Sequence, residues 1–141
     1  MASGLFNNFK TGLMKSTFNL HTGGHTIKIA LMGSGYTYSA THVFWGDTGV
    51  SSNEASGTGY TTGGATITSS VAGTSTAQFK TAGDITWSSS TITAYGALIY
   101  DSTASSSPLI AWIDFGGAQS SSNGNLTISW TSDSNVIVSL A

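Results

Sequence analysis

Apolar residues in this chain alternate with polar ones more often than they recur at helical spacing. Residues 25–32 put Ile27, Ile29 and Leu31 on one face and Lys28 and Ala30 on the other, the period of a strand. Residues 125–130 alternate as Leu126, Ile128 and Trp130, and residues 135–140 as Val136, Val138 and Leu140. Weaker strands are predicted over 65–71, over 75–80 (where Ala77 and Phe79 coincide) and around Ile85 and Trp87. Residues 91–100 give the strongest interior strand. Residues 109–115 give another, opened by Pro108, the only proline, a residue tolerated at a strand's first position.

One segment reads differently. Over residues 4–15, Leu5, Phe6, Phe9, Leu13 and Met14 recur at spacings of three and four, so the pattern predicts a helix with Ser3 as its cap. About three turns, weakened by Gly12, are marginal alone in water. The helix must dock either on its own domain's core or on a neighbouring subunit. The chain thus divides into a helical arm, residues 1–16, and one β-sandwich domain, residues 17–141.

About eight strands at roughly ten-residue spacing, separated by Gly, Ser, Asp and Asn turns, indicate an all-β fold. The expected architecture is an antiparallel eight-stranded sandwich, jelly-roll-like in strand count, with a short N-terminal helix. Residues 91–100 and 109–113 carry apolar groups at both odd and even positions. Their second face is covered either by the helix or the long Gly/Ser-rich stretch 33–64, or by another subunit.

Composition sharpens this picture. Only 7% of residues are charged, there is no cysteine, and 39% are hydrophobic, against about a quarter charged in ordinary soluble domains. About a third of the chain is Ser or Thr. Hydroxyls cost less to desolvate than ions, which suits a surface lying against other protein. Lys10, Lys15, Lys28 and Lys80 are the only cations besides histidine. Four scattered lysines build no basic face, so a nucleic-acid partner is not expected. No stretch approaches the roughly 20 apolar residues of a membrane span, and the N-terminus does not read as a signal peptide. The lack of cysteine is compatible with a reducing cytoplasm.

Reactive chemistry is sparse. His21 and His25 are four apart but separated by Gly23 and Gly24, so they read as a turn entering a strand; no metal or cofactor is expected. Asp47, Asp84, Asp101 and Asp133 sit in turn-like contexts where Asp caps its own backbone. Asp114 is expected to end a strand. No nucleophile elbow, phosphate loop or dinucleotide fingerprint occurs, and no catalytic role is expected. Trp87, Trp112 and Trp130 lie in strand patterns and read as core. Tyr36, Tyr38 and Tyr60 lie in the long loop and are the better candidates for an external contact.

Several stretches together resemble a known family: residues 1–10 (Met1-Ala2-Ser3-Gly4-Leu5-Phe6-Asn7-Asn8-Phe9-Lys10), 26–32, 84–87, 96–101, 107–114 and the closing 135–140. This pattern is similar to the head cement, or capsid decoration, proteins of tailed bacteriophages. The resemblance implies a jelly-roll-like domain that forms dimers or trimers and binds the major capsid protein on the capsid exterior, after assembly in the host cytoplasm. It implies no catalytic residues, cofactor or membrane. Within it, Leu5, Phe6, Phe9, Leu13, Tyr36 and Tyr38 are the expected capsid or subunit contacts. The competing expectations are a carbohydrate-binding or fibre- or tail-associated module of the virion and, more remotely, a small hydrolase.

Overall fold

A computed structural model describes residues 3–73, 75–130 and 136–140. It is mostly β, with antiparallel sheets and one short helix. In chain order the elements are β1 (Gly4–Leu5), α1 (Asn7–Met14), β2 (Ile27–Met32), β3 (Gly57–Thr58), β4 (Ala65–Ile67) and β5 (Ser69–Ala72). Then come β6 (Ala77–Thr81), β7 (Ile85–Asp101), β8 (Leu109–Ser120), β9 (Gly124–Ile128) and β10 (Val136–Leu140), with a single 3-10 turn at Ser51–Asn53. Of the earlier expectations, Asp133 and the first residue of the 135–140 strand lie outside the described residues.

Among the described residues there are ten strands where the pattern predicts eight. The two strands expected around residues 85–100 are one, β7; the strand expected over 65–71 is two, β4 and β5; and β1 and β3, each two residues long, are short pairings with no pattern of their own. Seven strands form the large sheet, ordered β1-β8-β7-β2-β4, with β3 and β9 pairing the first half of β7; β10-β6-β5 form a smaller sheet. The 17-residue β7 is the spine. Along one edge, β8 and then β9 run as a nearly continuous antiparallel partner, bridged by Ser121 N–H donating to Ile92 O at 2.9 Å. Along the other edge run β2 and then β3.

The alternation of β2 divides the core as the sequence suggests. Ile27, Ile29 and Leu31 face one cluster, shared with Ala97 and Ile99 of β7, Phe9 of α1, Ile67 of β4, Phe79 of β6 and Val138 of β10. Ala30 and Met32 face a second cluster with Leu98, Tyr100, Leu109 and Trp112, covered by Phe6, Tyr36 and Val50. The helix and the small sheet therefore close one face of the large sheet, and the chain's own long loop closes the other. That accounts for the doubly apolar strands within a single chain. Gly64 makes one close approach possible: its φ is +80°, and a Cβ there would lie 2.0 Å from the Ile29 carbonyl oxygen, so only glycine fits.

The N-terminal stretch expected as an arm is stitched into this framework. Gly4 and Leu5 pair with Trp112 and Ala111. Phe6 N–H donates to Ile110 O at 3.1 Å, Asn7 N–H to Ala40 O at 2.9 Å, and the Asn8 side-chain amide to Val43 O and Leu109 O. The helix therefore starts at Asn7, with Phe6 as an N-cap that makes no side-chain bond. Ser3 is not its cap; the Ser3 Oγ accepts from Asp114 N–H at 2.8 Å. Asp114 does not end its strand either. Gly116 and Gly117 take positive φ, the register of β8 against β7 shifts between Ala94 and Gly96, and pairing resumes at Gln119 and Ser120, as a bulge allows.

Candidate functional site

The six side chains expected at an intersubunit contact are spread unevenly. Phe6, Phe9 and Tyr36 are buried in this chain's own core. Phe9 packs edge-to-face on Phe18 with ring centroids 5.0 Å apart, and Phe6 on Tyr38 at 5.3 Å. Tyr38 is half-buried and donates its hydroxyl to Leu5 O at 2.9 Å. Leu5 and Leu13 are half-buried. The loop tyrosines turn inward because the open face of β7 and β8 offers more apolar area than solvent-facing positions could.

Of the four exposed large hydrophobic side chains among the described residues, Met14 lies on α1 and Val71 on the small sheet, while Phe44 and Tyr95 lie elsewhere. Phe9, Leu13, Phe18, Leu20, Val71, Phe79 and Val138 line an open groove of about 330 Å³, with Asn19, His21 and Gln78 as its polar members. The edge strand β5 contributes Val71, which is 51% exposed, and Met14 at the end of α1 is 90% exposed. Covering Met14 is worth about 1.5–3 kcal/mol, and covering the already half-buried Val71 about half as much. Phe9 and Leu13 are the two expected contact residues that line this groove. The exposure of Val71 and Met14 is not legible in the sequence, because residue spacing alone does not tell an exposed apolar position from a buried one.

The titratable groups are mostly engaged structurally. Asp101 is fully buried; its Oδ2 lies 2.6 Å from His25 Nδ1, and its Oδ1 accepts from Thr103 N–H and Ala104 N–H. This pair pins the start of β2 to the end of β7. It has the orienting half of a charge-relay arrangement, but no hydroxyl hydrogen-bonds His25 among the described residues. Asp47 Oδ2 accepts from Val43 and Phe44 N–H, the backbone capping expected of it. The Gly116 N–H, donated to Asp114, holds that carboxyl below its ordinary range. Burial pushes the Tyr100 hydroxyl up to about 12, with the nearby Glu54 adding to the effect. Burial raises Tyr36 and Tyr60 further still; Tyr60 also donates to Glu54 Oε1 at 2.6 Å.

Among the described residues no group of three or more His, Cys, Asp or Glu converges as metal ligands, and no helix is long and apolar enough to cross a membrane. Comparison with protein-family models, with curated proteins and with solved structures finds no match to this chain.

Proposed function

We propose that this chain is a structural virion protein that docks on the outside of a phage capsid lattice and stabilises it, as cement proteins do. Its partners in this reading are the major capsid protein and further copies of itself, its domain is a jelly-roll-like sandwich, and it needs neither cofactor nor catalytic residues. The observation that carries the reading is the apolar groove between α1 and the small sheet, set in a surface almost without charge. Such a surface is cheap to desolvate, and modest contacts repeated over a closed shell add up through avidity. The sequence resemblance supports the same reading. The contact it favours is centred on Leu13, Val71 and Met14.

The test uses Val71→Asp with Met14→Asp. Both side chains are exposed, so the double variant keeps its fold while placing two charges in the contact. The expected result is a native melting curve with lost binding to purified expanded shells. Binding at the wild-type level by the folded double variant refutes the docking face. One feature favours the second reading, a saccharide-binding module of the virion: a hydroxyl-lined notch beside β7.

A further inference from the structure

The two edges of β7 are unequally covered. On the β8 and β9 side, pairing runs with little interruption from Ile85 to Tyr100. On the opposite side, β2 ends at the Met32 pairing with Gly96, and β3 begins only at the Gly57 pairing with Ile92. The chain leaves this edge after Met32 and returns at Gly57. Thr93, Ala94 and Tyr95 are left with no ladder partner on that side among the described residues. The gap opens into a notch of about 490 Å³, above the roughly 300 Å³ at which small-molecule sites begin.

The walls of the notch share one chemistry. Ser34 and Ser56 bring hydroxyls, Thr93 lines the wall with its own hydroxyl already paired with Ser120 Oγ at 2.9 Å, Tyr95 brings an aromatic ring that is 38% exposed, and Glu54 brings the only charge. The carboxylate is held from behind: its Oε1 accepts from Tyr60 O–H and from Gly63 N–H, both at 2.6 Å. Its Oε2 has no hydrogen-bond partner among the described residues. Tyr60 is itself fixed, accepting from Leu31 N–H at 3.0 Å. A side chain braced by two donors is preorganised, so little entropy is lost when it accepts from a ligand. No lysine or histidine lines the notch, so nothing there neutralises an anionic ligand.

We propose that this notch binds an uncharged saccharide through a single pyranose ring. Tyr95 meets the apolar face of the ring, Glu54 Oε2 accepts from its hydroxyls, and the open backbone edge at Thr93–Tyr95, with Ser34 and Ser56, completes the polar contacts. A pyranose chair, with hydroxyls around its rim and a face of axial C–H groups, matches a wall in which a ring, a carboxylate and hydroxyls lie together. The assignment does not rest on the capsid reading.

The test is amide-resolved NMR titration of the full chain with neutral methyl hexopyranosides in the gluco, galacto and manno series, and with a sialic acid methyl glycoside as the charged probe. The expected result is that at least one neutral glycoside shifts the amides of Thr93–Tyr95 and Ser56 at millimolar concentration, while the charged probe does not. Tyr95→Ala should weaken that binding about ten-fold, and Glu54→Gln, which keeps an acceptor oxygen for Tyr60, should also weaken it. Both variants should keep the wild-type melting temperature and wild-type binding to shells, so this proposal and the capsid reading fail separately. Shifts that map away from the notch, a preference for the charged probe, no response to any neutral glycoside in the panel, or undiminished binding by folded Tyr95→Ala would each overturn it.

Discussion

Replacing Phe9 with alanine tests whether α1 belongs to this domain or serves as an arm for a neighbour. Phe9 is 1% exposed and sits where α1 meets the large-sheet core and the ring of Phe18. Truncating a phenylalanine so enclosed costs about 3–5 kcal/mol in lost burial and residual cavity. An unfolding entropy of about 2.1 cal/mol/K per residue gives this chain about 0.3 kcal/mol/K near its midpoint. The expected fall in Tm is therefore about 10–17 °C. Met14→Ala, on the same helix but 90% exposed, should move Tm by less than about 2 °C, since exposed substitutions stay within about 0.5 kcal/mol. Differential scanning calorimetry of both variants beside the wild type reads the difference directly. Equal, small shifts in the two variants would refute the packing argument and return α1 to the status of a loosely held arm.

Three further outcomes follow from the packing and the buried polar groups. In Gly96→Ala the new methyl would lie 2.0 Å from a Trp112 ring carbon and 2.5 Å from Ile113 O; overpacking of this kind should cost about 3 kcal/mol, and an unchanged urea midpoint would contradict the packing of Trp112 over Gly96. Asp101→Ala removes the partner of His25 and the acceptor of two backbone N–H groups, so the urea midpoint should fall by an amount equivalent to about 3 kcal/mol, and a loss below about 1 kcal/mol would show the pair to be dispensable. The raised tyrosines set the alkaline limit. Tyr100 titrates near 12 when folded, Tyr36 and Tyr60 are pushed up further, and an unfolded tyrosine titrates near 10. The folded state keeps protons that the unfolded state loses, so their contribution is full below about pH 10 and is lost as pH rises through the folded values, that of Tyr100 by about 12 and those of Tyr36 and Tyr60 beyond it. Phenolate absorbance of these three should appear together with loss of near-ultraviolet circular dichroism; their smooth ionisation near pH 10 in a folded chain would contradict the burial.

Where pairing partners are close in sequence or the face pattern is regular, the fold was legible. The alternation of Ile27, Ile29 and Leu31 placed β2 and both its faces correctly, and Trp87 and Trp112 lie in the core as their strand patterns suggested. Where structure depends on distant partners, it was not. Gly4 and Leu5 have helical spacing with Phe9 and Leu13, yet they pair with β8 more than a hundred residues away, and no local signal announces that competition. Tyr36 and Tyr38, in a Gly- and Ser-rich loop, read as exposed because nothing in their neighbourhood shows the apolar sheet face they cover. Tyr100, stacked on Trp45 at 4.6 Å, is part of that same hidden layer. The notch beside Tyr95 was equally invisible, being made by where two strands stop and start rather than by any motif.

The central claim is that this chain coats a repeating shell through the face between α1 and the small sheet. Cryo-electron microscopy of purified particles that incorporate the chain tests it most directly. The account predicts hundreds of copies arrayed on the head lattice, with Val71 and Met14 turned against the capsid protein or a neighbouring copy. A few copies at a vertex or tail, or a lattice-bound chain with that face in solvent, would contradict it.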